Sequence, residues 1–221
     1  MDRMEAMQLF QTHSIYGITA EKLSAGRSNL AVVEQMLQGG IRFLQYREKE
    51  KSYRCMYEEC RSIRALTRKY KAAFIIDDFV DLALAVEADG VHIGQDDLPP
   101  AVVRQLIGPS KVIGLSTHCP AQLEKANELA DIVDYFGVGP VFPTQTKKNP
   151  APVTGLSYVE YAVRHARCPF VAIGGIKEHN IASVAVAGAK TCAVVSAITG
   201  AADIAGTVQG LQAAMRQPAA C

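Results

Sequence analysis

Excess charge of either sign is missing from this 221-residue chain, in which 23 lysines and arginines face 22 aspartates and glutamates. A molecule so balanced has no overall field to gather a polyanion. That argues against nucleic acid as a partner and leaves each lysine to be judged by its neighbours. No apolar stretch reaches the length that spans a bilayer, so no membrane partner is expected. The opening MDRMEAMQLFQTHS mixes charge with apolar residues and lacks the uninterrupted core of a secretory signal, and its acids at positions 2 and 5 speak against an organellar address. Cys55, Cys60, Cys119, Cys168, Cys192 and Cys221 form no CxxC pair and no Cys-His grouping of zinc-ligand spacing. Reduced thiols in a cytoplasmic protein are therefore expected. No GxGxxG follows the first strand-like run, where the sequence reads YGITAEKL, and no Ser-His-Asp or Cys-His set is defined. Neither a dinucleotide fold nor covalent catalysis is indicated.

What the chain does contain is a repeat. Strand-like runs occur at 14–20, 41–47, 72–77, 90–94, 111–116, 132–139, 170–175 and 191–197. Between them lie helical patterns such as Leu30, Val33 and Leu37 before Gly39-Gly40, and Tyr53, Met56, Cys60 and Ile63 before the basic RKYK; the segment 79–87 supplies a further short helix. Short β-rich runs alternating with helices call for parallel strands covered on one side, and eight such units close into a (β/α)8 TIM barrel of the α/β class. An open doubly wound sheet is the rival, weakened by the missing glycine fingerprint. One domain over 1–221 is expected, with a short N-terminal extension and a loose tail, RQPAAC.

In such a barrel the C-terminal strand ends surround one pocket, and the polar motifs of this chain all fall there. GPVFPTQTKK, 139–148, follows a strand with two threonines and two lysines; Thr144, Thr146 and Lys147 suit an anion, and the loop is long enough to close over a site. A solvated basic turn is the plainer alternative. QYREK, 45–49, places Gln45, Arg47 and Lys49 on one side of an extended chain: an amide, a guanidinium fork and an ammonium for phosphate. Asp78 and Asp97, at neighbouring strand ends, are candidates for Mg2+, whose remaining octahedral positions phosphate oxygens and water would fill. Asp77 and Asp96 stand beside them, and helix capping is the bland reading of any one such aspartate. Gly174-Gly175 lets backbone N–H groups approach a phosphate at the start of the next helix, a role Ser196 can share. Ser116 is placed to donate to a ligand, His118 reads as a lead-in to a helix, and His92 as a residue lining the barrel.

Taken in order, YGIT, QYREK, DD, ADGVHIGQDD, STH, GPVFPTQTKK, AIGGI and VVSAI resemble the thiamine-phosphate synthase family over about residues 14–200. The resemblance implies transfer of an aminopyrimidine methyl group from its diphosphate ester to the nitrogen of a hydroxyethylthiazole phosphate, by a dissociative step that releases diphosphate. It implies that Gln45, Arg47, Lys49 and the residue at 77 bind the pyrimidine diphosphate, that Asp78 and Asp97 hold Mg2+, and that Ser116 lies on the pyrimidine side. Thr144, Thr146 and Lys147 match the diphosphate loop, and Gly174, Gly175, Val195 and Ser196 the thiazole-phosphate end. Arg47, Lys49 and Lys147 would carry the catalytic charge. A homodimer is the family-level expectation, with phosphorylated small molecules as partners. One departure stands out: Asp77 replaces the usual asparagine, an amide that both donates and accepts, with an ionised acceptor. A thiazole tautomerase using His118, or a noncatalytic phosphate-ligand sensor, are the competing functions.

Overall fold

The structure is a computed structural model and describes residues 1–146 and 151–216. Lys147, and the expected tail beyond Arg216, lie outside the described residues. Eight parallel strands close in chain order: β1 Ile15–Ile18, β2 Phe43–Tyr46, β3 Ala73–Asp77, β4 Gly90–Ile93, β5 Val112–Thr117, β6 Tyr135–Val138, β7 Phe170–Ile173 and β8 Cys192–Val194. Closure is direct, with Ile15 of β1 opposite Cys192 of β8. Several strands are shorter than the runs read from the sequence, as in β8, which takes up three residues of 191–197.

Strand alternation divides the core into two. Outward-facing Ile15, Leu44, Phe74, Ile76, Val91 and Phe136 pack against the helices, whereas inward-facing Tyr16, Ile18, Phe43, Ile75, Tyr135 and Val171 fill the barrel. The helices are α1 Arg3–Thr12, α2 Asn29–Gln38, α3 Tyr53–Lys69, α4 Val80–Ala85, α5 Pro100–Ile107, α6 Pro120–Asn127, α7 Gly155–His165, α8 Ile181–Val186, α9 Ser196–Thr199 and α10 Ile204–Arg216. Helix α3 shows how the sequence sets them. Ser52 caps it by accepting from the Cys55 N–H, Met56, Cys60, Ile63 and Thr67 form its buried stripe, and Arg68 and Lys69 complement its negative end. Among the described residues no helix is long and apolar enough to cross a membrane.

The N-terminal extension is not irregular chain. Asp2 and Glu5 form a reciprocal capping box that starts α1. From α1, Phe10 enters the N-terminal end of the barrel, its ring 5.1 Å from Phe43 and 4.7 Å from Tyr135. The barrel is thus stoppered from below, and the free space lies at the opposite end.

Candidate active site

A cavity of about 520 Å³ opens at the C-terminal mouth of the barrel. Its walls include Gln45, Arg47, Lys49, Asp77, Asp78, Asp97, Ser116, Thr144, Thr146, Gly174, Gly175, Val195 and Ser196. Every site residue expected from the sequence is therefore brought to one place, except Lys147, which lies outside the described residues.

The basic side is built by β2 running on past its last strand residue. The Thr19 N–H donates to the Gln45 carbonyl at 3.0 Å and the Thr19 hydroxyl accepts from the Arg47 N–H at 2.8 Å, so alternation survives beyond Tyr46. Glu48 consequently points outward, accepting from the Glu21 N–H and Asn29, while Arg47 and Lys49 point inward. Both cations meet Asp77, Arg47 Nε at 3.3 Å and Lys49 Nζ at 2.9 Å from Oδ2. Lys49 also pairs with Asp78. Burial draws the Lys49 pKa down, but the two carboxylates more than reverse this and hold it above its ordinary value.

Asp77 and Asp78 could not share a partner on a regular strand, where consecutive side chains face opposite ways. Asp78 breaks the alternation with φ of +61°, a left-handed conformation that a non-glycine residue adopts at a cost. Its N–H is held by the His92 carbonyl at 2.8 Å, and its carboxylate swings round to Lys49. Asp97 is not at a strand end as expected. It lies four residues past β4 on an exposed turn that its own Oδ2 closes by accepting from the Gly94 N–H at 2.6 Å. Among the described residues there is no group of three or more His, Cys, Asp or Glu side chains arranged to hold a metal. Two carboxylates on one cavity still fit Mg2+, which characteristically takes one or two from a protein and the rest from phosphate and water.

Ser116, the last residue of the run 111–116, lies within β5, where its backbone pairs with Gly137 of β6. One further expectation is corrected. Gly174 and Gly175 do not open a helix; α8 starts only at Ile181. They make a turn with φ of +102° and +64° that lies flat against Pro140 and Phe142, where a Cβ at either position would collide. Ser196 does begin a helix, the single turn α9. Thr144 and Thr146 are linked through their hydroxyls at 3.3 Å. His118 is a tie: its Nδ1 lies 2.6 Å from the Gly139 carbonyl and its N–H donates to Gln122.

Sequence reasoning left Tyr16 and Tyr135 unassigned. The Gln45 amide donates to the Tyr16 hydroxyl at 3.0 Å, Tyr16 and Tyr135 hydroxyls are 3.0 Å apart, Tyr135 reaches His92 Nδ1 at 3.0 Å, and His92 Nε2 reaches Ser116 Oγ at 2.8 Å. Alternation puts each of these side chains inside the barrel, but only the register between strands could show that they touch.

A closed (β/α)8 barrel with paired cations, carboxylates, threonines and a glycine turn around one C-terminal cavity defines a barrel enzyme whose site is laid out for an anionic ligand. The chain belongs to the thiamine monophosphate synthase family, whose sequence model matches residues 15–198. It is 56% identical over 199 residues to a thiamine-phosphate synthase of Pelotomaculum thermopropionicum, covering 90% of each chain. It is 50% identical over 211 residues to one from Caldicellulosiruptor saccharolyticus, covering 96% of this chain and 95% of the other. Among solved structures, the thiamine phosphate pyrophosphorylase of Pyrococcus furiosus superposes with a TM-score of 0.83 at 37% identity, over 95% of this chain and 98% of that one.

Proposed function

We propose that this protein is a thiamine-phosphate synthase. It joins the diphosphate ester of 4-amino-5-hydroxymethyl-2-methylpyrimidine to 4-methyl-5-(2-hydroxyethyl)thiazole phosphate, breaking the methylene C–O bond and forming a C–N bond to the thiazole. The observation that carries the reading is the convergence of Arg47, Lys49, Asp78 and Asp97 on one cavity. The bond to diphosphate breaks first, and the electron-rich aminopyrimidine bears the resulting positive charge. Positive side chains then matter more than a nucleophile, because charge accumulates on the departing oxygens. Arg47 and Lys49 exchange Asp77 for those oxygens, Thr144, Thr146 and Lys147 orient them, and Gly174, Gly175, Val195 and Ser196 receive the thiazole phosphate. Mg2+ held by Asp78 and Asp97 would supply Lewis-acid neutralisation of the diphosphate. A single domain, a cytoplasmic setting and a homodimer belong to the same proposal. Neither the tautomerase nor the sensor reading is favoured by an observation, His118 being engaged with Gly139.

The test is release of diphosphate from both purified heterocycles, with and without Mg2+, while thiamine phosphate is followed by mass. Equal amounts of the two products are expected, dependent on Mg2+. Asp97→Ala and Lys147→Ala should each lower kcat by about 10²-fold or more with the fold intact; undiminished turnover in either would remove that residue from the mechanism.

A further inference from the structure

Five side chains from five elements form one unbroken line of hydrogen bonds across the barrel, Gln45–Tyr16–Tyr135–His92–Ser116. Its direction follows from the Gln45 amide, which is placed with Nε2 toward Tyr16. The Gln45 Nε2 can only donate, so the Tyr16 oxygen accepts, and the Tyr16 proton goes to the Tyr135 oxygen, 3.0 Å away. The Tyr135 proton must then go to His92 Nδ1, which leaves the imidazole proton on Nε2, donating to Ser116 Oγ. Burial raises the pKa of both phenols, so neither surrenders its proton to the cavity. Both ends of the line, Gln45 and Ser116, lie on the cavity wall, and with Nε2 and Oγ engaged in the line the amide oxygen of one and the hydroxyl proton of the other remain for a ligand. Running the line the other way would require the Gln45 amide to turn over and the His92 proton to move to Nδ1 together. Space is committed to this arrangement: a Cβ on Gly114 of β5 would strike both Tyr135 and His92.

We infer that Tyr16, Tyr135 and His92 are positioning residues that fix the polarity of Gln45 and Ser116, making one an acceptor and the other a donor toward the substrate ring. An aminopyrimidine carries an amino donor and ring-nitrogen acceptors, and a site with its polarity locked accepts that pattern while leaving buried groups unpaired against its inverse. The identity of the ring rests on the synthase reading; the order of the protons does not.

The experiment joins a spectroscopic and a kinetic readout. In protein labelled with 15N-histidine and free of substrate, the His92 signals, assigned by their loss in His92→Gln, should show a protonated Nε2 and an unprotonated Nδ1. Tyr135→Phe should abolish that pattern and raise KM for the pyrimidine diphosphate about tenfold, with KM for the thiazole phosphate held within about twofold. Tyr16→Phe, which keeps the Tyr135–His92 contact, should show the same split and guards against a Tyr135→Phe protein that fails to fold. The double variant should cost little more than the worse single one, because both cut the same line. A protonated Nδ1 in the parent, or equal changes in the two KM values, would overturn the inference. A parent with the expected His92 pattern but no thiamine phosphate would instead overturn the synthase reading alone.

Discussion

At Asp77 the structure turns a sequence oddity into an electrostatic one. This carboxylate, which departs from the asparagine that the family resemblance implies, is 7% exposed and contacts both Arg47 and Lys49, the cations proposed to bind diphosphate. In the proposed reaction it would compete with the substrate for Arg47 and Lys49, and binding would exchange one anion for another. Asp77→Asn should lower KM for the pyrimidine diphosphate about three- to tenfold, with kcat changed much less. Steady-state kinetics at fixed thiazole phosphate checks this, and an unchanged or higher KM would mean that Asp77 organises the cations for the substrate. That Arg47 and Lys49 share one side was legible, because QYREK displays its cations by simple alternation. The reach of Asp78 to the same lysine was not: it depends on one left-handed residue, and nothing in the letters IDD announces a positive φ.

Among the elements, α3 shows where reading by periodicity succeeds and stops. Its buried Met56, Cys60 and Ile63 and its basic end were visible as spacing and composition, whereas Tyr53, read into the same stripe, is exposed. What fastens the helix to the barrel was not visible. Glu59 on α3 accepts from the Tyr46 hydroxyl at 2.6 Å and from Lys51, which also pairs with Glu21 after β1. Burial pushes the Glu59 carboxyl up, yet the hydrogen bonds from Lys51 and Tyr46 outweigh it and leave the pKa below its usual value. A folded-state pKa below the unfolded one contributes stability above the unfolded value, near pH 4.3, and loses it as pH falls through the folded value. Glu59→Gln should therefore lower Tm at pH 6 and reduce the further loss between pH 6 and pH 3 relative to the parent. Thermal melts across that range decide it, and parallel curves would show that Glu59 is not preferentially charged in the fold. Such pairings join residues from separate elements, so they follow from packing and not from any local pattern.

For the molecule as a whole, barrel closure was the most legible feature, since eight runs in alternation with helices leave few other ways to cover a parallel sheet. The stopper α1 escaped because it precedes the repeat and its mixed charge conceals a short stripe, Ala6 and Phe10, four residues apart; the Asp2 and Glu5 capping pair was the available signal. Phe10→Ala should cost about 3–5 kcal/mol in urea denaturation, whereas a mere extension would tolerate it within about 0.5 kcal/mol. That stopper also shapes traffic. With Phe10, Phe43, Tyr16 and Tyr135 closing the lower end, the described residues leave the cavity open at the C-terminal mouth. In the proposed reaction, both heterocycles and both products would therefore share the face of the barrel on which Arg47, Lys49 and Asp78 stand.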